Sequence, residues 1–149
     1  MYKHILVPTD GSALSDKAVE AAIKLAKLAG ARITAFHAAE PYPLQGAYAA
    51  EASGVAELQP EVFAERSEEY AKRILDAVAS VAAAANVQCA TAYATARSAS
   101  QAIVEKARTE GCDLIVMASH GRRGLEGFLL GSETHKVLTH TSIPVLVYR

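Results

Sequence analysis

Short apolar runs, each long enough for one buried strand, alternate along the chain with longer segments whose apolar residues recur at helical spacing. Ile5-Leu6-Val7 lies between His4 and Pro8, and Ile33-Thr34-Ala35-Phe36-His37-Ala38, Leu114-Ile115-Val116-Met117 and Ile143-Pro144-Val145-Leu146-Val147-Tyr148 follow later. A strand that is apolar at odd and even positions alike must be covered on both faces. Two such strands joined by a helix form a parallel βαβ unit with a right-handed crossover. The alternation therefore predicts an α/β fold in one domain over residues 1–149, a parallel sheet with helices on both faces.

Turn and cap residues punctuate this pattern. After Pro8, Thr9-Asp10-Gly11-Ser12 is turn chemistry with Ser12 as N-cap, and Leu14, Ala18, Ala22, Leu25 and Ala29 mark a helical face. Gly30 stands where that helix should end. The second strand is closed by Glu40-Pro41-Tyr42-Pro43, and residues 41–59 form a long excursion without a sustained period. Pro60 opens the next helix, whose face is Phe63, Tyr70, Ile74, Val78 and Val81 and which runs through the alanines to Asn86. Residues 87–95 read as a third strand, and their Ala and Thr content suits a sheet edge. Ser98 and Gln101 have capping-box spacing, Ile103, Val104 and Ala107 give a buried face, and Gly111 ends the helix. The fourth strand spans 113–117, a short helix 132–139 and the fifth strand 143–148.

Composition narrows the partners. Fifteen basic residues against sixteen acidic ones leave a net charge of −1, which gives no cationic footprint for nucleic acid or anionic lipid. Cys89 and Cys112 lack zinc-ligand or redox-motif spacing and read as reduced thiols. No apolar run has the length of a signal peptide core or a membrane span, so the expectation is a cytoplasmic protein with no nucleic-acid or membrane partner.

The chemistry is concentrated after strands one and four. Between Met117 and Glu133 the chain reads Ala118-Ser119-His120-Gly121-Arg122-Arg123-Gly124-Leu125-Glu126-Gly127-Phe128-Leu129-Leu130-Gly131-Ser132, a glycine-rich loop ending at a helix N-terminus. Backbone N–H groups and the positive end of a helix dipole there suit an anion, or the loop only turns a corner. In open α/β sheets ligands lie at the carboxyl ends of the strands where strand order reverses, and strands one and four are the natural neighbours of that crevice. Asp10 is either a turn former or an acceptor for ribose hydroxyls or a base amino group. Ser132 is either a donor to phosphate or the helix N-cap. Gly121 and Gly131 would let backbone approach phosphate oxygens. The chain has no G-x-x-x-x-G-K-[ST], no G-x-G-x-x-G and no G-x-S-x-G, and no catalytic acid–base pair is recognisable. His37, inside an apolar strand, reads as a core histidine. His120, His135 and His140 lack metal-ligand spacing with a carboxylate, so no metal site is expected.

Four stretches taken together resemble the universal stress protein family over the whole chain. They are Met1-Tyr2-Lys3-His4-Ile5-Leu6-Val7-Pro8-Thr9-Asp10-Gly11-Ser12, Met117-Ala118-Ser119-His120-Gly121-Arg122-Arg123-Gly124, Leu130-Gly131-Ser132-Glu133-Thr134 and Ile143-Pro144-Val145-Leu146-Val147. The resemblance implies an open five-stranded parallel sheet in the order 3-2-1-4-5, of the adenine nucleotide alpha hydrolase-like kind, and a homodimer. It also implies ATP as ligand, with Mg²⁺, for members carrying G-x-x-G-x9-G-[ST]. Here the second glycine of that pattern is Gly121, the last two positions are Gly131 and Ser132, and Ala118 replaces the first glycine. By resemblance, Pro8, Thr9 and Asp10 approach adenine and ribose, and the backbone of Ala38 meets the adenine edge. Met117 and Ala118 then flank the sugar, and Gly121, Gly131, Ser132, Glu133 and Thr134 surround the phosphates. Relatives with Gly-x-Pro after strand three contrast with Arg97-Ser98-Ala99 here, where Arg97 either adds charge near the phosphates or lies in solvent.

Three functions follow from these readings. One is an adenine-nucleotide-binding regulatory module of the stress response, a second a dimeric scaffold without nucleotide, and a third a slow ATPase or phosphotransferase. The strand over 144–148, apolar on both faces and at a sheet edge, is a liability unless covered, and pairing with its twofold mate would cover it.

Overall fold

The computed structural model describes residues 1–43, 52, 54, 59–121 and 130–149. The elements run β1 (His4–Pro8), α1 (Ala13–Ala29), β2 (Arg32–Ala39), α2 (Pro60–Ala84), β3 (Cys89–Thr95), α3 (Ala99–Thr109), β4 (Leu114–Ala118), α4 (Ser132–His140) and β5 (Val145–Tyr148). The five strands are all parallel, in the order β3-β2-β1-β4-β5. Between β1 and β4 the chain changes direction across the sheet, which places the crevice where the strand order predicts it. Most of the excursion over 41–59, and Gly124 and Gly127 in the later loop, lie outside the described residues.

Side-chain alternation builds two core layers. Ile5 and Val7 of β1, Ile33 and Ala35 of β2, and Leu114 and Val116 of β4 face one way, against Val19, Ala22, Ile23 and Ala26 of α1 and Leu75, Val78 and Ala82 of α2. Leu6, Phe36, Ile115 and Met117 face the other way, with Ile103 and Ala107 of α3 and Val137 of α4. Ile5 to Val7, Ile33 to His37 and Leu114 to Ala118 are all buried on one face or the other, which is why these strands read as continuous apolar runs. The expected caps form. Ser12 accepts from Ser15 N–H, Gly30 closes α1 in the left-handed conformation, Pro60 opens α2, and Ser98 accepts from Gln101 N–H.

Two helical faces are rotated from those expected. On α2 the buried stripe is Ala71, Leu75, Val78 and Ala82, and Val81 is 48% exposed. On α1 it is Ser15, Ala18, Val19, Ala22, Ile23 and Ala26, leaving Leu14, Leu25 and Ala29 half-buried. In both helices alanines share the buried stripe with Val19, Ile23, Leu75 and Val78, which rotates the stripe away from the expected face. Phe63 packs edge-on against Tyr42 at 5.3 Å between ring centres, away from the sheet. The third strand begins at Cys89, two residues later than expected, because α2 ends at Ala84 and Asn86 turns the chain with φ of 58°. It lies at the sheet edge, as its Ala and Thr content suggested.

At the opposite end of the sheet from the crevice, His4 is buried. Its Nδ1 lies 3.0 Å from Arg32 Nη2 and 3.1 Å from the Glu110 carbonyl, and its Nε2 lies 2.8 Å from Thr34 Oγ1. A ring protonated at Nε2 accepts from Arg32 and donates to Thr34, whereas one protonated at Nδ1 donates to the Glu110 carbonyl and accepts from Thr34. Burial, then the Arg32 charge, lowers the His4 pKa below its ordinary 6.5, and the Glu110 carbonyl with the Glu110 and Asp113 charges only partly offsets this. The unfolded chain therefore takes up a proton before the folded one does. The contribution of His4 to stability is full above pH 6.5 and is lost as pH falls from there through the depressed folded value. Urea midpoints measured across that interval should decline, and His4→Gln should remove most of the slope.

Candidate functional site

The β1–α1 turn is held from several sides. Thr9 N–H donates to the Phe36 carbonyl at 2.9 Å, and Thr9 Oγ1 accepts from Gly11 N–H at 3.2 Å while sharing a hydrogen with Ser15 Oγ at 3.1 Å. Asp10 Oδ1 accepts from Ser12 N–H at 3.0 Å, a local turn that also presents the cap residue to α1. Gly11 has φ of 75°, a left-handed conformation that glycine adopts without a Cβ penalty. His37 Nδ1–H donates to the Thr9 carbonyl at 2.9 Å, and the Tyr70 hydroxyl donates to the Asp10 carbonyl at 2.5 Å. His37 is thus a buried, hydrogen-bonded strand residue, as its apolar setting suggested.

The second loop leaves β4 and returns at α4 within hydrogen-bond distance of itself. Ser119 N–H donates to the Tyr148 carbonyl at 2.7 Å, and Gly131 N–H donates to the Ser119 carbonyl at 2.8 Å. The helix cap is Gly131, with φ −59° and ψ 149°, rather than Ser132, which is the first helical residue and exposed. Space decides this: a Cβ on residue 131 would lie 3.1 Å from His120 Cα and 3.2 Å from the Ser119 carbonyl oxygen. The first intrahelical bond runs from His135 N–H to the Gly131 carbonyl, so the N–H groups of Ser132, Glu133 and Thr134 belong to the open first turn.

The two loops meet across the crevice. A Cβ on Gly121 would lie 2.5 Å from Asp10 Oδ2, so the carboxylate occupies the space that glycine leaves. Pro8 and Ala38 are half-buried at the ends of β1 and β2, Met117 is buried in the second core layer, and Ala118 is 8% exposed at the end of β4. The Thr134 hydroxyl donates to the Ala118 carbonyl at 3.0 Å and is buried there. Glu133 turns toward α3, accepting from Ser100 N–H at 2.7 Å and Lys136 Nζ at 2.8 Å. Burial alone would raise the Glu133 pKa, but these donors outweigh it and hold the carboxyl below its ordinary value. An anionic side chain at the α3 N-terminus is favourable for the same reason that an anion at α4 would be. The structure therefore sets Asp10, beside Thr9 in the same turn, against Gly121, and packs Gly131 against Ser119 and His120 at the start of its own loop, whereas the Glu133 and Thr134 side chains are engaged elsewhere and their backbone belongs to the open first turn. Arg97 is exposed.

Tyr70 and its hydrogen bond to the Asp10 loop were not foreseen from the sequence, which placed this residue on the helical core face. The contact spans sixty residues of chain, and no local pattern encodes it. Among the described residues, no group of three His, Cys, Asp or Glu side chains could hold a metal ion, and no helix is long and apolar enough to cross a membrane.

Comparison with known proteins agrees with this geometry. A family model described as the universal stress protein family matches residues 1–149. A universal stress protein of Methanocaldococcus jannaschii, MJ0531, is 36% identical over 149 residues, covering 100% of this chain and 83% of its own. Universal stress protein YxiE of Bacillus subtilis is 33% identical over 153 residues and covers both chains fully, at 100% each. The solved structure of MJ0577 superposes with a TM-score of 0.81 at 26% identity, covering 99% of this chain and 96% of that one. Two structures of the same fold were solved with nucleotides. One is a universal stress protein in complex with cAMP, with a TM-score of 0.72 at 24% identity and coverage of 99% and 97%. The other is an Archaeoglobus fulgidus protein in complex with dAMP, with a TM-score of 0.69 at 18% identity and coverage of 99% and 98%. Matched by that family model over residues 1–149 and by relatives at 33–36% identity over its whole length, the chain belongs to the universal stress protein family.

Proposed function

We propose that this protein binds an adenine nucleotide, ATP with Mg²⁺, in the crevice between the β1–α1 and β4–α4 loops, and acts by binding rather than by fast catalysis. The observation that carries the reading is the placement of the Asp10 carboxylate against the bare backbone of Gly121, beside the open first turn of α4. Asp10 accepts from ribose hydroxyls, and Pro8, Thr9 and the Ala38 backbone border the adenine. Met117 and Ala118 flank the sugar. Gly121, Gly131, Ser132, Glu133 and Thr134 meet the phosphates through backbone N–H groups and the helix dipole. Relatives of this fold solved with cAMP and dAMP support an adenine ligand. The test is a thermal-melt series with ATP and Mg²⁺ against GTP. Ligand that binds only the folded state raises the melting temperature with concentration. ATP is expected to do so more than GTP, and no shift at millimolar ATP would overturn the reading.

The same proposal includes a homodimer through β5. Among the described residues this strand pairs with β4 alone and forms the sheet edge, with Leu146 41% exposed. An uncovered strand edge of this kind invites pairing, and a twofold mate satisfies its backbone groups in register. Sedimentation velocity at micromolar concentration should give a dimer; a monomer would contradict it.

A further inference from the structure

Two consecutive carbonyls of the Asp10 loop are gripped by two rings that touch each other. His37 of β2 holds the Thr9 carbonyl at 2.9 Å, and Tyr70 of α2 holds the Asp10 carbonyl at 2.5 Å. The rings pack edge to face, 5.7 Å between centres at 64°, and the Arg73 guanidinium lies 5.3 Å from the centre of the Tyr70 ring. The second carbonyl belongs to the Asp10–Gly11 peptide, the unit of this turn most able to rotate, because Gly11 tolerates either sign of φ. Rotation of that peptide would turn the carbonyl away from α2 and break the Gly11 N–H bond to Thr9 Oγ1. It would also disturb the Asp10 side chain, which is aimed at Gly121 while bonded to Ser12 N–H. The Tyr70 hydroxyl reaches its acceptor in only one peptide orientation.

We infer that Tyr70, supported by His37, is a positioning residue that fixes the Asp10–Gly11 peptide and thereby aims the Asp10 carboxylate at the hydroxyls of a ribosyl ligand. This rests on the proposed adenine-nucleotide site and adds what makes that site selective for an intact ribose. A lost hydrogen bond of this kind is worth roughly a threefold to tenfold change in an equilibrium constant.

The test is Tyr70→Phe, which keeps the ring contacts with His37 and Arg73 and removes only the hydroxyl. Affinity for ATP is expected to fall about threefold to tenfold, while affinity for 2′,3′-dideoxy-ATP, which offers Asp10 no hydroxyl, stays unchanged. In an Asp10→Ala background, Tyr70→Phe should cost nothing further. Without any ligand, amide hydrogen exchange at Gly11 and Ser12 should speed up while the central strands keep their protection. Equal loss for both nucleotides would make Tyr70 merely structural and overturn the inference, as would unchanged exchange at Gly11 and Ser12. Failure of the wild-type protein to bind ATP would instead overturn the nucleotide reading, and the exchange measurement would still decide whether Tyr70 fixes the peptide.

Discussion

Gly11→Ala is expected to destabilise the protein by about 3 kcal/mol, from left-handed strain of about 1–2 kcal/mol and overpacking of similar size. At φ of 75° an alanine is strained whatever the space around it. Space is also lacking, since the new Cβ would lie 2.6 Å from Tyr70 Oη and 2.9 Å from Ile74 Cγ2. Tyr70 can yield only by giving up the Asp10 carbonyl, and Ile74 only by shifting a residue packed against the first core layer. For a chain of this size the loss corresponds to a fall in melting temperature of about 6–12 °C. Urea unfolding measures it directly, and an unchanged midpoint would mean that the turn is looser than described.

Gly121→Ala should do the reverse, leaving stability within about 0.5 kcal/mol of wild type while lowering nucleotide affinity tenfold or more, about 1.4 kcal/mol or above. The added methyl would fall 2.5 Å from Asp10 Oδ2, the far end of a side chain that can swing away. The fold therefore yields cheaply. In the proposed site, however, Asp10 would lose its aim and the backbone its close approach to the ligand. Paired titration and melting experiments on the variant separate the two quantities. A large stability loss with intact affinity would place the ligand elsewhere.

The contrast between these two glycines shows which parts of the molecule were legible in the sequence. Features set by local chemistry were readable: the Ser12, Ser98, Gly30 and Pro60 helix ends and the apolar, parallel strands, whereas the strand order came from the family resemblance. Asp10 and Gly121 could be assigned to facing loops because the loops after strands one and four carry the site-like residues, and the structure pairs β1 with β4. The phases of α1 and α2 were not readable in the same way. Alanine is a weak signal on a hydrophobic scale, yet Ala71 and Ala82 are fully buried while Val81 is half-exposed. Of the two roles open for Ser132, the N-cap falls instead to Gly131: serine is favoured at N-caps by its side chain, but the space against Ser119 and His120 suits the glycine before it. Tyr70 was assigned to packing and not to the site, because its hydrogen bond depends on how α2 lies over the β1 loop.

Calorimetric titration of the purified protein with ATP and Mg²⁺, run beside Asp10→Ala under the same conditions, tests the nucleotide site most directly. Saturable binding of one nucleotide per chain by the wild type, weakened at least tenfold (about 1.4 kcal/mol) in the variant, is the expected result. No heat of binding in the wild type, or equal binding by both proteins, would contradict it.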